Sequence, residues 1–532
     1  MLCISLFDIV GIQDFVFATK KTRENVGASS LVGKVFEVFL FEELLKSFPG
    51  AATGWRNAEE FGMLSSAPPQ AEMVYIGGGN ALVAFRNKED AVALTRAFSR
   101  RVLKETGGGL SVAVAHLETD AVSFTDDMKI LLRMLERKKF NMPHGWPLLG
   151  VAVSREGTSD GLPAAEEYKN GEGGEWISRP ASRKRSSAET SDSLSKLAPE
   201  GFSFQVEFDR LGRNKEAGES LLAVVHIDGN NMGKTIKKHI ADGDGSYNDA
   251  VSRLRSISAR ISEAFEQTLR DTLSRLSSKE TLEALEKEGV VLEKSLLPFR
   301  PLICAGDDVT FVCDGRIALS LTAAFLKNLS REKTPGGEEF TACAGIAVVK
   351  PHFPFYRAYC LSEELCASAK LKAKKNDSDQ PGSWLDFEVV YSGLPVDLDA
   401  YRARKYSIPG LPSLPDSGEY HLLWRPYTVA GSSRGDAPAH AWSEARRRLR
   451  RITGADGKEK EWPRSKLKGL REAFTMSKDE AVSFNAECES RGDLLDEKTN
   501  LFRGNRTEWF DIIDLLDVYI EVPGLLKGGD EI

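Results

Sequence analysis

Three acids in this chain of 532 residues stand where divalent cations could be held. Asp228 closes the apolar run LLAVVHID, and Asp307-Asp308 lie about eighty residues later inside PLICAGDDVTFVC, preceded by Gly306. Magnesium and manganese take hard oxygen ligands and are commonly held by one or two carboxylates together with substrate phosphates. In polymerase-type phosphoryl transfer, two such ions about 4 Å apart stabilise the attacking hydroxyl oxygen and the departing phosphate oxygen. A strand-end Asp beside an Asp-Asp hairpin suits that task. An ordinary turn is the alternative for Asp307-Asp308, because Asp favours turns.

Asp228 is followed by GNNMGKT, one residue short of the phosphate-cradling pattern G-x-x-x-x-G-K-[ST]. Asp228 occupies the place of the first glycine. Gly229, Asn230, Asn231 and Gly233 therefore read as a turn whose backbone N–H groups meet a triphosphate at a helix N-terminus, with a P-loop ATPase as the lesser alternative. In LCASAKLKAKKND, Lys370 and Lys374 are four residues apart on one helix face. They either offset the charge of a β,γ-phosphate or form an exposed basic helix.

A second set of residues repeats this plan without its acids. Asp8 ends an apolar run, and Gly77-Gly78-Gly79-Asn80 occupies the hairpin tip. One carboxylate cannot easily hold two ions, so this copy should be catalytically dead. Gly77 and Gly78 would let a ligand's phosphates approach the backbone, and Ser29, in the small-residue stretch Gly27 to Ser30, could receive a base or phosphate or serve as a cap. No serine-histidine-acid or cysteine-histidine arrangement is visible. His226 reads as a core residue.

The elements that must carry these residues occur in the same order twice. Cys3 to Phe7 is a strand, Leu31 to Phe48 helical, MVYIGGGNALVAF a hairpin, Lys88 to Thr106 a helix and Leu110 to Ala115 a strand. LLAVVHID, Val251 to Leu273, PLICAGDDVTFVC, Arg316 to Leu329 and TACAGIAVV repeat the series. This β-α-β-β-α-β order is the ferredoxin-like arrangement. The expected class is α+β: two tandem ferredoxin-like domains, 1–155 and 216–398, a solvated connector at 156–215 rich in Gly, Ser, Glu and Lys, and a mostly helical domain at 399–532. In the last, Arg446, Arg447, Arg448, Arg450 and Arg451 could meet RNA phosphates or an acidic partner, or form a solvated helix face.

Lys+Arg 71 against Asp+Glu 78 gives a net charge of −7, so the protein as a whole is no basic coat for nucleic acid. The hydrophobic fraction of 41% and charged fraction of 28% exclude a wholly disordered or fibrous chain. No apolar run reaches about 18 residues, and the acids at 8 and 14 interrupt the first segment, so a cytoplasmic protein without membrane contact is expected. The seven cysteines include no CxxC pair, which argues against a zinc ribbon.

Five separated blocks, IQDFVFATKKTRENVGASSLVGK, PLLGVAVSREGTSDGLPA, HIDGNNMGKT, ICAGDDVTFV and FPFYRAYCLSEELCASAK, resemble the large polymerase–cyclase subunit of type III CRISPR effector complexes, across most of residues 1–395. The resemblance implies two palm domains packed face to face, the second with a GGDD hairpin, and conversion of ATP to cyclic oligoadenylates with Mg2+ or Mn2+. Carried over, the GGDD block falls on Ala305, Gly306, Asp307 and Asp308, and the first-strand acid on Asp228. Ala305 departs from the pattern. The zinc-binding cysteines frequent in that family are absent, and the chain begins directly in the first palm, so cleavage of DNA by an HD nuclease domain is not expected.

The leading expectation is thus a two-metal nucleotidyltransferase or oligonucleotide cyclase in antiviral defence. A catalytically weak scaffold subunit of an RNA-guided complex and a stand-alone cyclic nucleotide synthase are the alternatives. Implied partners are nucleoside triphosphates, guide or target RNA and other effector subunits, with a homodimer as a further arrangement.

Overall fold

The computed structural model describes the chain except residues 1, 20, 58–59, 143–152, 171–172, 191–193, 214–219, 244, 392, 394–396, 410–418, 432–434, 436, 454–461, 493–499 and 527–532, and the side chains at 170, 190 and 209. Residues 147–152 of the second matching block therefore lie outside the described residues.

The first repeat comprises β1 (Leu2–Val10), α1 (Ile12–Phe17), α2 (Thr22–Lys34), which continues through a π-helical turn into α3 (Phe41–Ser47), β2 (Ala71–Gly77), β3 (Asn80–Phe85), α4 (Lys88–Glu105), β4 (Ser111–Thr119) and α5 (Phe124–Phe140). Its sheet has the order β2-β3-β1-β4, every pair antiparallel. That is the ferredoxin-like order read from the sequence. It arises because β1, apolar at all positions but Ser5 and Asp8 and buried along nearly its whole length, takes the centre.

The segment read as a solvated connector is largely folded. It holds β5 (Ala164–Asn170), β6 (Gly173–Ser178), α6 (Arg179–Thr190) and β7 (Ser203–Phe204). A Cβ on Gly27 of α2 would fall 1.7 Å from the Lys184 carbonyl oxygen, so α6 lies directly on α2. Arg185 meets Glu24 at 2.7 Å with both side chains buried, and Lys184 Nζ donates to the Phe15 carbonyl at 2.6 Å while lying over the Phe15 ring. The correction has a clear cause. Composition counts the basic residues of RPASRKRSS as solvated, whereas an Arg or Lys given a carboxylate, a carbonyl and an aromatic face can be buried.

The second repeat comprises β8 (Leu222–Gly229), α7 (Met232–Ala241), α8 (Tyr247–Leu276), α9 (Lys279–Lys287), β9 (Leu296–Leu297), β10 (Phe299–Ala305), β11 (Asp308–Asp314), α10 (Ala318–Leu329), β12 (Ala342–Val349), α11 (Phe355–Asn376) and β13 (Ser383–Val390). Its order β10-β11-β8-β12 reproduces that of the first sheet, and β13, parallel to β12, extends it.

The C-terminal region contains α12 (Leu398–Tyr406), β14 (Ser407–Ile408), β15 (Tyr420–His421), β16 (Tyr427–Ala430), α13 (Trp442–Thr453), α14 (Arg464–Met476), α15 (Lys478–Ser490) and α16 (Trp509–Asp514). It is not walled off from the second repeat. Strand β16 completes that repeat's sheet beside β13, and one continuous core runs from β8 and β12 to Trp442, Trp462 and Trp509. Two arginines of α13 serve this packing, Arg446 paired with Glu521 and Arg448 with Glu508 at 2.5 Å, whereas Arg447 makes an exposed pair with Glu444 of its own helix at 2.9 Å. Those three are committed within the chain.

The two repeats are joined across an interface that includes one buried ion pair. Arg255 on α8 donates to Glu72 of β2 at 2.7 Å, and to the carbonyls of Val74 at 3.1 Å and Glu60 at 2.9 Å. Both side chains are 3% exposed. Removing either partner would leave an uncompensated buried charge, a cost of about 3–5 kcal/mol. Among the described residues no helix is long and apolar enough to cross a membrane.

Candidate active site

The antiparallel register of the second sheet brings the acids together. Asp228 and Asp308 are direct cross-strand partners, and the Gly229 amide donates to the Asp307 carbonyl at 3.2 Å, tying the end of β8 to the β10–β11 hairpin tip. Gly229 is obligatory for this closeness: a Cβ there would lie 2.8 Å from Asp307 Cβ and from Met232 Cγ. Burial and the neighbouring Asp228 charge push the Asp307 carboxyl up to about 6. Partial withdrawal from water, followed by the charges of Asp228 and Asp307, lifts Asp308 well above the usual carboxylate range.

Among the described residues, one cation answers these acids. Lys370 on α11 reaches Asp228 Oδ2 at 2.5 Å and the Gly229 carbonyl at 3.1 Å. Burial works to lower the Lys370 pKa, but the Asp228 charge and hydrogen bond, with smaller contributions from Cys366 and Cys343, together raise it. Lys374 lies one turn further on, exposed and away from this cluster. His226, beneath the acids, is bound to Thr310 Oγ1 at 3.1 Å. Burial lowers its pKa to about 4, so it is a neutral core imidazole at physiological pH.

The GNNMGKT segment divides its labour. Asn231 adopts a left-handed conformation (φ 55°) as the N-cap of α7, and no side chain caps the first amides of the helix. Gly233 borders open space. Asn230 is held within the protein: its backbone N–H, read above as facing a triphosphate, donates to the Thr341 carbonyl at 2.8 Å. Its side-chain amide donates to the Gly382 carbonyl at 2.7 Å and to Thr341 Oγ1 at 3.3 Å, because an amide buried to 8% exposure needs partners within the protein.

In the first repeat, Asp8 is register partner to Asn80 and forms an ion pair with Lys139 of α5 at 2.6 Å. Burial raises the Asp8 pKa and Lys139 opposes the rise. Sequence reading missed Lys139, although one signal was present: in each repeat the helix after the fourth strand supplies a lysine to the first-strand Asp. Gly77, Gly78 and Gly79 form the hairpin tip, and Gly78 abuts the other tip, where a Cβ on Gly306 would be 3.2 Å from the Gly78 amide nitrogen. Ser29, read above as a base or phosphate contact or a cap, donates its hydroxyl to the Leu302 carbonyl of β10. A register shift between Pro301 and Ile303 frees that carbonyl from the ladder.

Among the described residues no three His, Cys, Asp or Glu side chains are gathered tightly enough to hold a metal between them. The chemistry of the cluster nevertheless fits a divalent cation. Three hard carboxylates face one ammonium, and burial followed by the neighbouring acids' charges raises the pKa values of Asp307 and Asp308, as expected of carboxyls that a cation would stabilise in charged form.

Residues 221–378, which hold β8, the acidic hairpin and α11, match the family model of the Cas10/Cmr2 second palm domain. The chain carries a Cas10-type palm. The whole fold is similar to Csm1 of T. onnurineus, at 14% identity and a TM-score of 0.54 over 98% of this chain and 70% of that chain. It is equally similar to the Csm1-Csm4 cassette in complex with cA4, at 14% identity and a TM-score of 0.55 over 97% of this chain and 69% of that chain. The Csm1-Csm4 subcomplex of the type III-A CRISPR-Csm interference complex matches with the same identity and TM-score. These likenesses establish the tandem-palm fold with its helical C-terminal region. No curated protein matches by sequence. The first repeat shares the fold of this palm but carries Gly79 and Asn80 where the second has Asp307 and Asp308.

Proposed function

We propose that this protein is a metal-dependent nucleotidyltransferase that joins and cyclises ATP into cyclic oligoadenylate-type messengers, as a subunit of a type III CRISPR effector complex with RNA and other protein subunits as partners. The observation that carries the reading is the pairing of Asp228 with Asp308 across adjacent strands, with Asp307 at the tip and Lys370 beside them. The likeness to a Csm1-Csm4 cassette in complex with cA4, and to others in complex with pppApA and AMPPNP, supports the choice of ATP and of product class.

Asp228, Asp307 and Asp308 would hold two Mg2+ or Mn2+ ions, which when bound activate the attacking hydroxyl and stabilise the leaving pyrophosphate. Lys370 can exchange its Asp228 contact for the β,γ-phosphate, and the uncapped amides of α7 can receive the remaining phosphate oxygens. The first palm, with Asp8, Gly77 and Gly78 at the abutting tip, would hold the acceptor nucleotide. Holding donor and acceptor in line is worth about 7–11 kcal/mol of the barrier.

The test is mass spectrometry of products after incubating the chain with each of the four nucleoside triphosphates and Mn2+. Adenylate oligomers from ATP that vanish in an Asp307→Ala, Asp308→Ala variant are expected. Undiminished product in that variant would sink the assignment.

A further inference from the structure

The two palms also meet on α11, at a point that the proposed chemistry above does not use. Glu363 lies two turns before Lys370 on α11, half-buried, and its charge is felt by Asp308. Its Oε1 accepts two hydrogen bonds, one from Gln13 Nε2 on α1 of the first palm and one from the Tyr359 hydroxyl on α11 at 2.9 Å. Tyr359 is in turn fully buried and stacked on Phe17, at the other end of α1, with ring centroids 3.9 Å apart. Its ring meets His226, which is bound to Thr310 and lies 3.5 Å from Asp308. The short helix α1 follows directly on the strand that carries Asp8, so both of its ends are fastened to the helix that carries Lys370.

We infer that Glu363 is a positioning residue: with Gln13 and Tyr359 it forms a latch that sets the first palm, and any nucleotide held there, in register with the catalytic hairpin. This rests on the nucleotidyltransferase reading for its consequence in catalysis, and on the contacts alone for the latch itself. Loosening the latch leaves the donor's own contacts, Lys370 and the α7 amides, in place. It therefore lowers the rate at which a correctly bound pair reacts, without weakening the binding of either nucleotide. A misplacement of about 1 Å is enough to cost about 100-fold in rate.

Four variants of the full chain test this: Gln13→Ala, Glu363→Ala, Glu363→Gln and the double alanine. Expected are falls of about 10- to 100-fold in kcat for Gln13→Ala and Glu363→Ala with ATP KM unmoved, no further loss in the double variant, and near-complete retention in Glu363→Gln, whose amide oxygen still accepts both bonds. Equal damage by Glu363→Gln would show that the charge itself acts on the metal site and would overturn the latch. An unchanged kcat in both alanine variants would overturn it as well. Hydrogen exchange of the Ile12–Phe17 amides separates this question from the function. If wild type makes no product the transferase reading fails, but faster exchange in both alanine variants without addition in the double still supports the latch, and unaltered exchange overturns it.

Discussion

Asp8, Ile9, Val10 and Gly11 of the first palm occupy the places of Asp228, Gly229, Asn230 and Asn231 in the second. In both, a strand ends on an Asp, the next amide donates to the hairpin tip (Ile9 to the Gly79 carbonyl at 3.1 Å, Gly229 to the Asp307 carbonyl at 3.2 Å), and a left-handed residue, φ 74° at Gly11 and 55° at Asn231, opens an uncapped helix. Each Asp meets a lysine from the helix after the fourth strand. The tips themselves differ. Gly78 and Gly79 both have positive φ, the signature of a type I′ turn, whereas in the second palm only Gly306 does, the signature of type II′. The second loop residue is thereby free to be an L-amino acid with a side chain, and Asp307 takes that place. The difference between Gly79 and Asp307 thus goes with a difference of turn. The electrostatic outcome follows: one carboxylate balanced by Lys139 in the first palm, three carboxylates against Lys370 in the second.

The sharpest way to break this contrast is to give the second hairpin the residues of the first. Asp307→Gly with Asp308→Asn should reduce nucleotide transfer from labelled ATP by about 1,000-fold or more while the fold persists, as judged by circular dichroism. A smaller loss would mean that Asp228 and Lys370 carry more of the chemistry than the hairpin.

Next in size is the contrast between the two lysines. Lys370→Ala should raise the ATP KM about tenfold and leave kcat nearly unchanged, since a phosphate contact made alike in ground and transition states contributes uniform binding. Lys139→Ala, whose partner belongs to the degenerate palm, should move the KM less than about threefold. Initial-rate kinetics over a range of ATP concentrations decide it. A fall in kcat alone for Lys370→Ala would place that ammonium on the transferring phosphoryl group.

The raised carboxyls of the second tip predict a pH dependence of cation binding. Asp307, near 6, and Asp308 must release protons before a cation is held, so Mn2+ affinity should rise about tenfold from pH 5 to pH 7 and level off above, measured by titration calorimetry. A flat profile would show that the two acids are not ligands.

The smallest effect concerns stability without metal. A carboxyl whose folded pKa, about 6, lies above its unfolded value of about 3.9 favours the fold while protonated, and that contribution is lost as pH rises from about 4 to 6. Asp307→Asn should therefore raise the Tm at pH 7.5 by about 1–3 °C, with the gain shrinking toward pH 4. Gly79→Asp should lower the Tm, because a side chain is forced to a φ of 76°. An unchanged Tm in both variants would remove the distinction between the two turns.

Much of this molecule was decided locally and was legible as such. An apolar run ending in Asp228 made a strand, Ala305-Gly306-Asp307-Asp308 made a tight hairpin, and the order of elements, present twice, specified the ferredoxin-like topology, because strand pairing and turn chemistry depend on residues close in sequence. Tertiary structure alone decided which charges meet. Lys139 on Asp8, Arg255 on Glu72, Arg185 on Glu24, Ser29 on the Leu302 carbonyl and Glu363 on Gln13 are all partners far apart along the chain. The same holds for α6, whose basic composition reads as solvated until α2 is laid against it, and for β16, which reaches the second palm's sheet from the C-terminal region. The worth of a charge or a hydroxyl varies several-fold with its distance from a partner and with the water excluded around both, and neither quantity exists until the chain has folded.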